Sequence, residues 1–407
     1  MMSLDLTNIE AERIINTLSS GVPDSDNIMA YSSSIDNQLM DIISKHLNKV
    51  KRGITVARFV KGDNGSGKSH FLSVVREIAL RDNYVVSYFD LRSREGFDMI
   101  ERILSKLIKT LSVNDKRKGT VNETVLDFIF KSWTNQGNSI EESVSGMELD
   151  ATNMDFINAI TIYGKIMAGI IPRQANSFDL IEIINRWFQA EGLKSNQRQK
   201  IKVNNNITVR NAREMMDSLA IFFREIGYSG WVILIDEQEI IPTLMATKKR
   251  KLSNENLKVI IDTQPKTKFM YYLFATTPEF FTHAEKGINS YPALRQRVLD
   301  VLEVKIIGEK GMVEAGEKIK EIYCLASPEF NRGLITGQNI RNCAHHVETT
   351  FGNTSAKARI FIVSYIRLLN QLDESAVSDL GDAFISITGQ VWDEIEEKEK
   401  EAYQKFK

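Results

Sequence analysis

The sequence predicts an α/β fold: a parallel sheet between layers of helices, interrupted by a large helical insertion and followed by a helical domain. Three observations predict it. A strand–loop–helix–strand succession near the start reads as a βαβ unit, which requires a parallel sheet. Further apolar runs of strand length return only beyond residue 230. Between and after these strands the apolar spacing is helical.

Taken in order, the first helical pattern is TNIEAERIINTLS at 7–19, which stops at Gly21-Val22-Pro23. A second amphipathic stretch covers roughly 33–49, and ITVARFV at 54–60 reads as a strand. A Gly-rich turn leads into SHFLSVVREIALR at 69–81, with apolar residues at helical spacing, and NYVVSYFDL at 83–91 is a second buried strand. From 97 to 229 strand signals vanish, and helices are expected near 98–112, 122–135, 152–170, 177–191 and 208–227. The polar stretch KSNQRQKIKVNNN at 194–206 reads as a break between two of them. Strands resume at WVILIDE (231–237), FMYYLFATT (269–277) and VLDVLEVKII (298–307). The rest is helical, and in its last helix Glu394–Lys398, Glu396–Lys400 and Glu401–Lys405 stand at i,i+4 spacing. The expected organisation is a helical segment at 1–50, an α/β core at 51–96 and 230–311, a helical insertion at 97–229 and a helical domain at 312–407.

Composition bounds the function without giving it. At 407 residues the chain has room for two or three folding units of roughly 150 residues. Apolar residues at 43% and charged residues at 26% are those of a globular chain. Lys plus Arg is 52 and Asp plus Glu 53, a net charge of −1, which excludes a basic nucleic-acid coat and an acidic solvating tail. Any DNA contact has to be a local patch. Two cysteines, Cys324 and Cys343, make neither a disulfide framework nor a paired-cysteine zinc site, and they fit a reducing compartment. The opening MMSLDLTNIEAERIINTL lacks the apolar core of a signal peptide, and no apolar run approaches the roughly 20 residues that span a bilayer. A cytoplasmic protein is expected.

Chemistry enters at Gly62-Asp63-Asn64-Gly65-Ser66-Gly67-Lys68-Ser69, a full match to the phosphate-binding loop, placed after a strand and opening a helix. Its glycines let backbone N–H groups turn toward phosphates, and the helix start adds positive potential. Lys68 is expected to bridge phosphate oxygens and Ser69 to bind Mg²⁺. The second half of the site is the apolar run that ends in Asp236-Glu237, a buried strand delivering two carboxylates to the edge where ligands bind in open α/β sheets. Asp236 is expected to hold Mg²⁺ through water, and Glu237 to polarise the attacking water. The strand FMYYLFATT ends in Thr276-Thr277, either of which suits a sensor of the γ-phosphate or the water. Arg295 and Arg297 follow, candidates for a finger reaching a neighbouring subunit's nucleotide. Arg359 is the candidate lid arginine, with Arg341 as the fallback. Phosphate loop, acidic strand, polar-ended strand and then arginines is the order of the AAA+ class.

These blocks resemble the BREX-type P-loop ATP-binding proteins of prokaryotic phage-defence clusters, close to the Orc/Cdc6-like branch of AAA+. Five blocks carry the resemblance in order: ERIINTLSSGVPD from residue 10, FVKGDNGSGKSHFLSVV, GYSGWVILIDEQE, LFATTPEFF and YPALRQRV. They cover the first 92 residues and 208–300. The resemblance implies a three-layer P-loop AAA+ (ASCE) sheet with a helical insertion and a C-terminal helical lid. It implies ATP and Mg²⁺ as cofactors, with His70 joining the loop residues at the nucleotide. It also implies a homo-oligomer, or a hetero-complex with other defence proteins, whose assembly on DNA or on a defence partner follows the nucleotide state. In the family the late arginine follows a Thr-Pro pair, whereas Lys357-Ala358 precede Arg359 here.

Lys248-Lys249-Arg250-Lys251 is a local basic run that duplex DNA would meet through its phosphates, the alternative being a solvated run with no partner. His345-His346 are adjacent and so point to different faces, which does not suit a metal site. Two functions fit these residues: an ATP-hydrolysing motor or switch, and an ATP-gated adaptor of slow turnover that recruits an effector. A small-molecule kinase is disfavoured, since the helical segments offer no acceptor motif.

Overall fold

In the WVILID run every residue from Trp231 to Asp236 is buried, and the sheet is organised around it. The computed structural model describes residues 6–22, 27–32, 37–63, 65–91, 97–114, 124–135, 144, 147, 153–175, 178–236, 247–262, 268–283, 287–298, 300–352, 354, 356–374, 377 and 379–405. The chain begins with α1 (Asn8–Ser19), α2 (Ile28–Tyr31) and α3 (Asn37–Lys51), then β1 (Val56–Lys61), α4 (Lys68–Arg81) and β2 (Val85–Asp90). Next come α5 (Ile100–Lys109), β3 (Leu111–Ser112), α6 (Val125–Asn135), α7 (Met154–Met167), β4 (Gln174–Ala175) and β5 (Phe178–Asp179). They are followed by α8 (Leu180–Phe188), α9 (Ser195–Lys200), α10 (Ala212–Glu225), β6 (Trp231–Asp236), α11 (Thr247–Ile261) and β7 (Met270–Thr276). The last elements are α12 (Glu279–Thr282), α13 (Pro292–Arg295), β8 (Leu302–Glu303), α14 (Glu309–Ala326), α15 (Gly337–Phe351), α16 (Lys357–Glu374) and α17 (Leu380–Lys405).

The chain divides into two compact units: residues 1–40, 62–77 and 303–407 in one, 41–61 and 78–302 in the other. The second unit holds the sheet, in the order β3-β2-β6-β7-β1-β8. β1, β7, β6 and β2 run parallel, and β3 is antiparallel to β2. One strand, β7, separates the strand before the phosphate loop from the acidic strand, in the α/β parallel sheet the sequence predicts. Phe59, Phe274, Ile235 and Phe89 share one row across four strands, with Phe59 stacked on Phe274 at 5.0 Å. Trp231 donates its indole N–H to Ser87 (3.0 Å), whose own hydroxyl donates to the Leu107 carbonyl (2.8 Å) and ties α5 to β2.

The expected insertion carries more than helices. β3 extends the main sheet, and β4 pairs with β5 in a separate two-stranded ribbon. The core of this stretch is aromatic: Phe130 stacks on Tyr163 at 4.3 Å and lies 5.1 Å from Phe222. Two buried carboxylates brace it. Asp127 accepts from the Tyr163 hydroxyl (2.5 Å) and from the Asn185 amide (3.0 Å). Asp155 accepts from the backbone N–H groups of Asn204 (2.9 Å) and Asn205 (3.0 Å). The expected polar break at 194–206 is therefore an ordered segment containing α9, not a plain linker. The last expected strand shortens to the two residues of β8, and the basic run 248–251 opens the helix α11.

In the first unit a reciprocal cap starts α1: the Thr7 hydroxyl accepts from the Glu10 N–H (3.3 Å), and the Glu10 carboxylate accepts from the Thr7 N–H (2.8 Å). Its buried face, Ala11, Ile14, Ile15 and Leu18, packs on α14 and α16. A Cβ at Gly316 of α14 would come within 2.6 Å of Ile340 Cγ2 and 3.1 Å of Phe361 Cζ, so α15 and α16 approach closely there. Lys357 is buried and paired with Glu348 at 2.9 Å. Glu394 makes a two-point ion pair with Arg367 of α16 at 2.8 and 2.7 Å, which joins the two helices. The side chains of Lys398, Lys400, Glu401 and Lys405 lie outside the described residues.

Candidate nucleotide site

The loop after β1 shows why its residue types are needed. Gly65 and Gly67 have φ of +79° and +95°, in the left-handed region where a side chain is strained. A Cβ on Gly62 would sit 2.3 Å from Ser66 Oγ and 2.9 Å from the Val304 carbonyl, so only glycine fits. Lys68 is buried and its ammonium donates to the carbonyls of Gly62 (2.9 Å) and Asp63 (3.1 Å). These two carbonyls take two of its protons and carry no net charge to balance it. The Ser66 hydroxyl is buried with no hydrogen-bond partner among the described residues. Together with the start of the 14-residue helix α4, these groups suit an anion that accepts hydrogen bonds, as phosphate does. Ser69 is exposed in the first turn. Asn64 lies outside the described residues.

His70 turns to the short segment around α2. Its Nε2 lies 3.1 Å from Ser32 Oγ, and its ring 6.0 Å from that of Tyr31. Burial lowers its pKa to about 4, so the ring is neutral near pH 7.

The sheet edge is built by register. Lys61 pairs with Thr276, and Asp90 with Asp236, so these residues end their strands on one edge. Asp236 is buried and accepts a hydrogen bond from the Tyr88 hydroxyl at 3.3 Å. Tyr88 is not among the residues the sequence singles out; its i,i+2 relation to Asp90 on β2 was the available signal. Thr276 is fully buried, and its hydroxyl has no partner among the described residues. Thr277, also buried, accepts at its carbonyl from the Phe280 N–H (3.2 Å) in the turn that opens α12. Glu237 lies outside the described residues, as do 238–246.

The arginines differ in how they are held. Arg297 pairs with Asp262 at 2.9 Å and donates to the Ala293 carbonyl at 2.7 Å. Arg295, at the end of α13, is exposed. Arg359 is exposed and lies along the end of α1, where a Cβ on Gly21 would be 3.2 Å from its Cδ. Arg341 is exposed and donates to Gln338 at 3.0 and 3.1 Å. Lys248, Lys249 and Lys251 are exposed at the start of α11, with Lys249 3.8 Å from Asp98, and Arg250 donates to Thr247 at 3.0 Å.

His345 faces Glu309 at 3.1 Å and His346 faces Thr388 at 3.2 Å, two different directions. Among the described residues no group of three or more His, Cys, Asp or Glu could hold a metal. Cys324 and Cys343 are free and buried, and burial pushes the Cys343 thiol up to about 12. Among the described residues no helix is long and apolar enough to cross a membrane.

The family model described as "BREX system ATP-binding protein BrxC/D" matches residues 7–386. No curated protein matches the sequence. Among solved structures, that of the Aeropyrum pernix ORC2 protein (ADPNP-ADP complexes) is similar at 10% identity and a TM-score of 0.46. The similarity covers 88% of this chain and 69% of that one.

Proposed function

Because this chain belongs to the BREX system ATP-binding protein BrxC/D family, a phage-defence family, we propose that it binds ATP with Mg²⁺ at residues 62–69 and hydrolyses it. The observation that carries the reading is the phosphate loop itself, with a buried Lys68 ammonium bonded to its own loop carbonyls and a buried Ser66 hydroxyl left over. Lys68 would exchange those carbonyls for phosphate oxygens. Ser69 and Asp236 would hold Mg²⁺, a cation that takes one or two protein oxygens and completes its shell with phosphate and water. The ion would neutralise charge on the phosphates.

Glu237 would orient and deprotonate the attacking water, and Thr277 or Thr276 would contact the water or the γ-phosphate. Arg359 is the lid arginine in this reading. Arg295 or Arg297 completes the site of a neighbouring subunit in an oligomer or a complex with other defence proteins. Duplex DNA is the partner proposed for Lys248, Lys249, Arg250 and Lys251, and the cytoplasm the compartment.

The test measures nucleotide binding and turnover in parallel. Lys68→Ala is expected to lose ATP binding. Glu237→Gln is expected to keep binding and to lose turnover by about 10²–10⁴-fold. Turnover unchanged in both variants would overturn the reading.

A further inference from the structure

The segment 27–32 is fastened by polar contacts from two helices of its own unit. From α4, the Glu77 carboxylate accepts the Met29 N–H at 3.0 Å, and His70 meets the Ser32 hydroxyl at 3.1 Å. His70 and Glu77 stand seven positions apart on one helix, so both lie on the same face, two turns from each other. From α14, Lys318 donates its ammonium to the Ser32 carbonyl. Ser32 therefore receives both helices, one on its side chain and one on its backbone.

The direction of the His70 bond follows from the other bond that Ser32 makes. The Ser32 hydroxyl has one proton, and its oxygen is 2.6 Å from the Ile28 carbonyl, which can only accept. That proton is used, so the oxygen accepts from His70, which carries its own proton on Nε2. Leucine at position 70 would break this bond; glutamine keeps an N–H donor in reach of the same oxygen.

His70 directly follows Ser69, in the turn of α4 where phosphate and Mg²⁺ would land. From this arrangement we infer that His70, Ser32 and Lys318 are positioning residues that make the affinity of the phosphate loop for ATP over ADP depend on α14. The inference rests on the nucleotide reading above. When the first turn of α4 shifts under a γ-phosphate, His70 moves with it, and Ser32 either follows and pulls on Lys318 or is held back by it. Lys318 does not belong to the loop, yet it bonds the residue that His70 holds.

The experiment measures dissociation constants for ADP and a non-hydrolysable ATP analogue, each with Mg²⁺, on the full chain. The variants are Lys318→Met, Ser32→Ala, His70→Leu, His70→Gln and the double variant His70→Leu/Lys318→Met. Lys318→Met is expected to change the ATP-to-ADP affinity ratio by at least about threefold, and the double variant no further than either single one. His70→Gln is expected to keep the wild-type ratio. A strap that only stabilises the unit would lower the melting temperature and leave the ratio unchanged in Lys318→Met, which overturns the inference. Effects that simply multiply in the double variant overturn it too. If His70→Leu does not fold, Ser32→Ala takes its place in the cycle. Failure of the wild-type chain to bind either nucleotide would count against the nucleotide reading, a result distinct from an unchanged ratio.

Discussion

His46 shows how a single side chain ties stability to pH. It is buried in α3, 3.3 Å from the Tyr271 hydroxyl, and burial, reinforced by the Arg58 and Lys49 charges, lowers its pKa to about 4 from 6.5. The unfolded chain therefore takes up the proton first on acidification. Stability is complete above pH 6.5 and drains away as pH falls toward 4, by about 3 kcal/mol for a shift of this size. His46→Gln is expected to remove that share, so that urea unfolding of the variant depends less on pH between 7 and 4.5. Equal pH slopes in the two proteins would contradict the assignment. At this scale the loop residues were legible because most of their chemistry is local: Gly65 and Gly67 answer to their own backbone angles and Lys68 to carbonyls of the same octapeptide. The surroundings of His70 were not, since its partner Ser32, and Lys318 that holds Ser32, lie far from it in sequence.

Among elements, the helices with regular apolar spacing fell where the sequence places them, and the short ones did not. The two residues of β3 give no alternation to read. The segment 194–206 is polar because its asparagines bond Asp155, about 50 residues earlier in the chain, a contact no local pattern contains. The basic start of α11 shows cation repetition but not the helix beneath it. Helix packing in the C-terminal part turns on one position. Gly316→Ala is expected to force α14 away from α15 and α16 and to cost about 1–3 kcal/mol, read as a lower thermal midpoint. An unchanged midpoint would mean that Ile340 and Phe361 yield without cost. Lys357, two positions before Arg359, is buried against Glu348, so this residue has a packing role.

For the whole molecule, the two finger candidates separate by what else they do. Arg297 already has partners within its own chain, whereas Arg295 is exposed. Arg297→Ala is accordingly expected to lower the melting temperature. Arg295→Ala is expected to leave it in place and to lower turnover, most at protein concentrations where the wild type gains activity by assembling. A wild-type specific activity independent of protein concentration would remove the trans role from both. The sheet order was not legible beyond its parallel sense, because strand neighbours are set by contacts between runs far apart in the chain. One further consequence lies in the path of the chain, which leaves the first unit after residue 40, returns at 62, leaves after 77 and returns at 303. The apolar face of α1 is made some 290 residues before the first of its covering helices, α14, and still further before α16. At about 5–20 residues per second, that face waits on the order of tens of seconds for its partners. Until α14 and α16 emerge, that apolar face has no cover within its own unit, and shielding it would keep the growing chain from sticking.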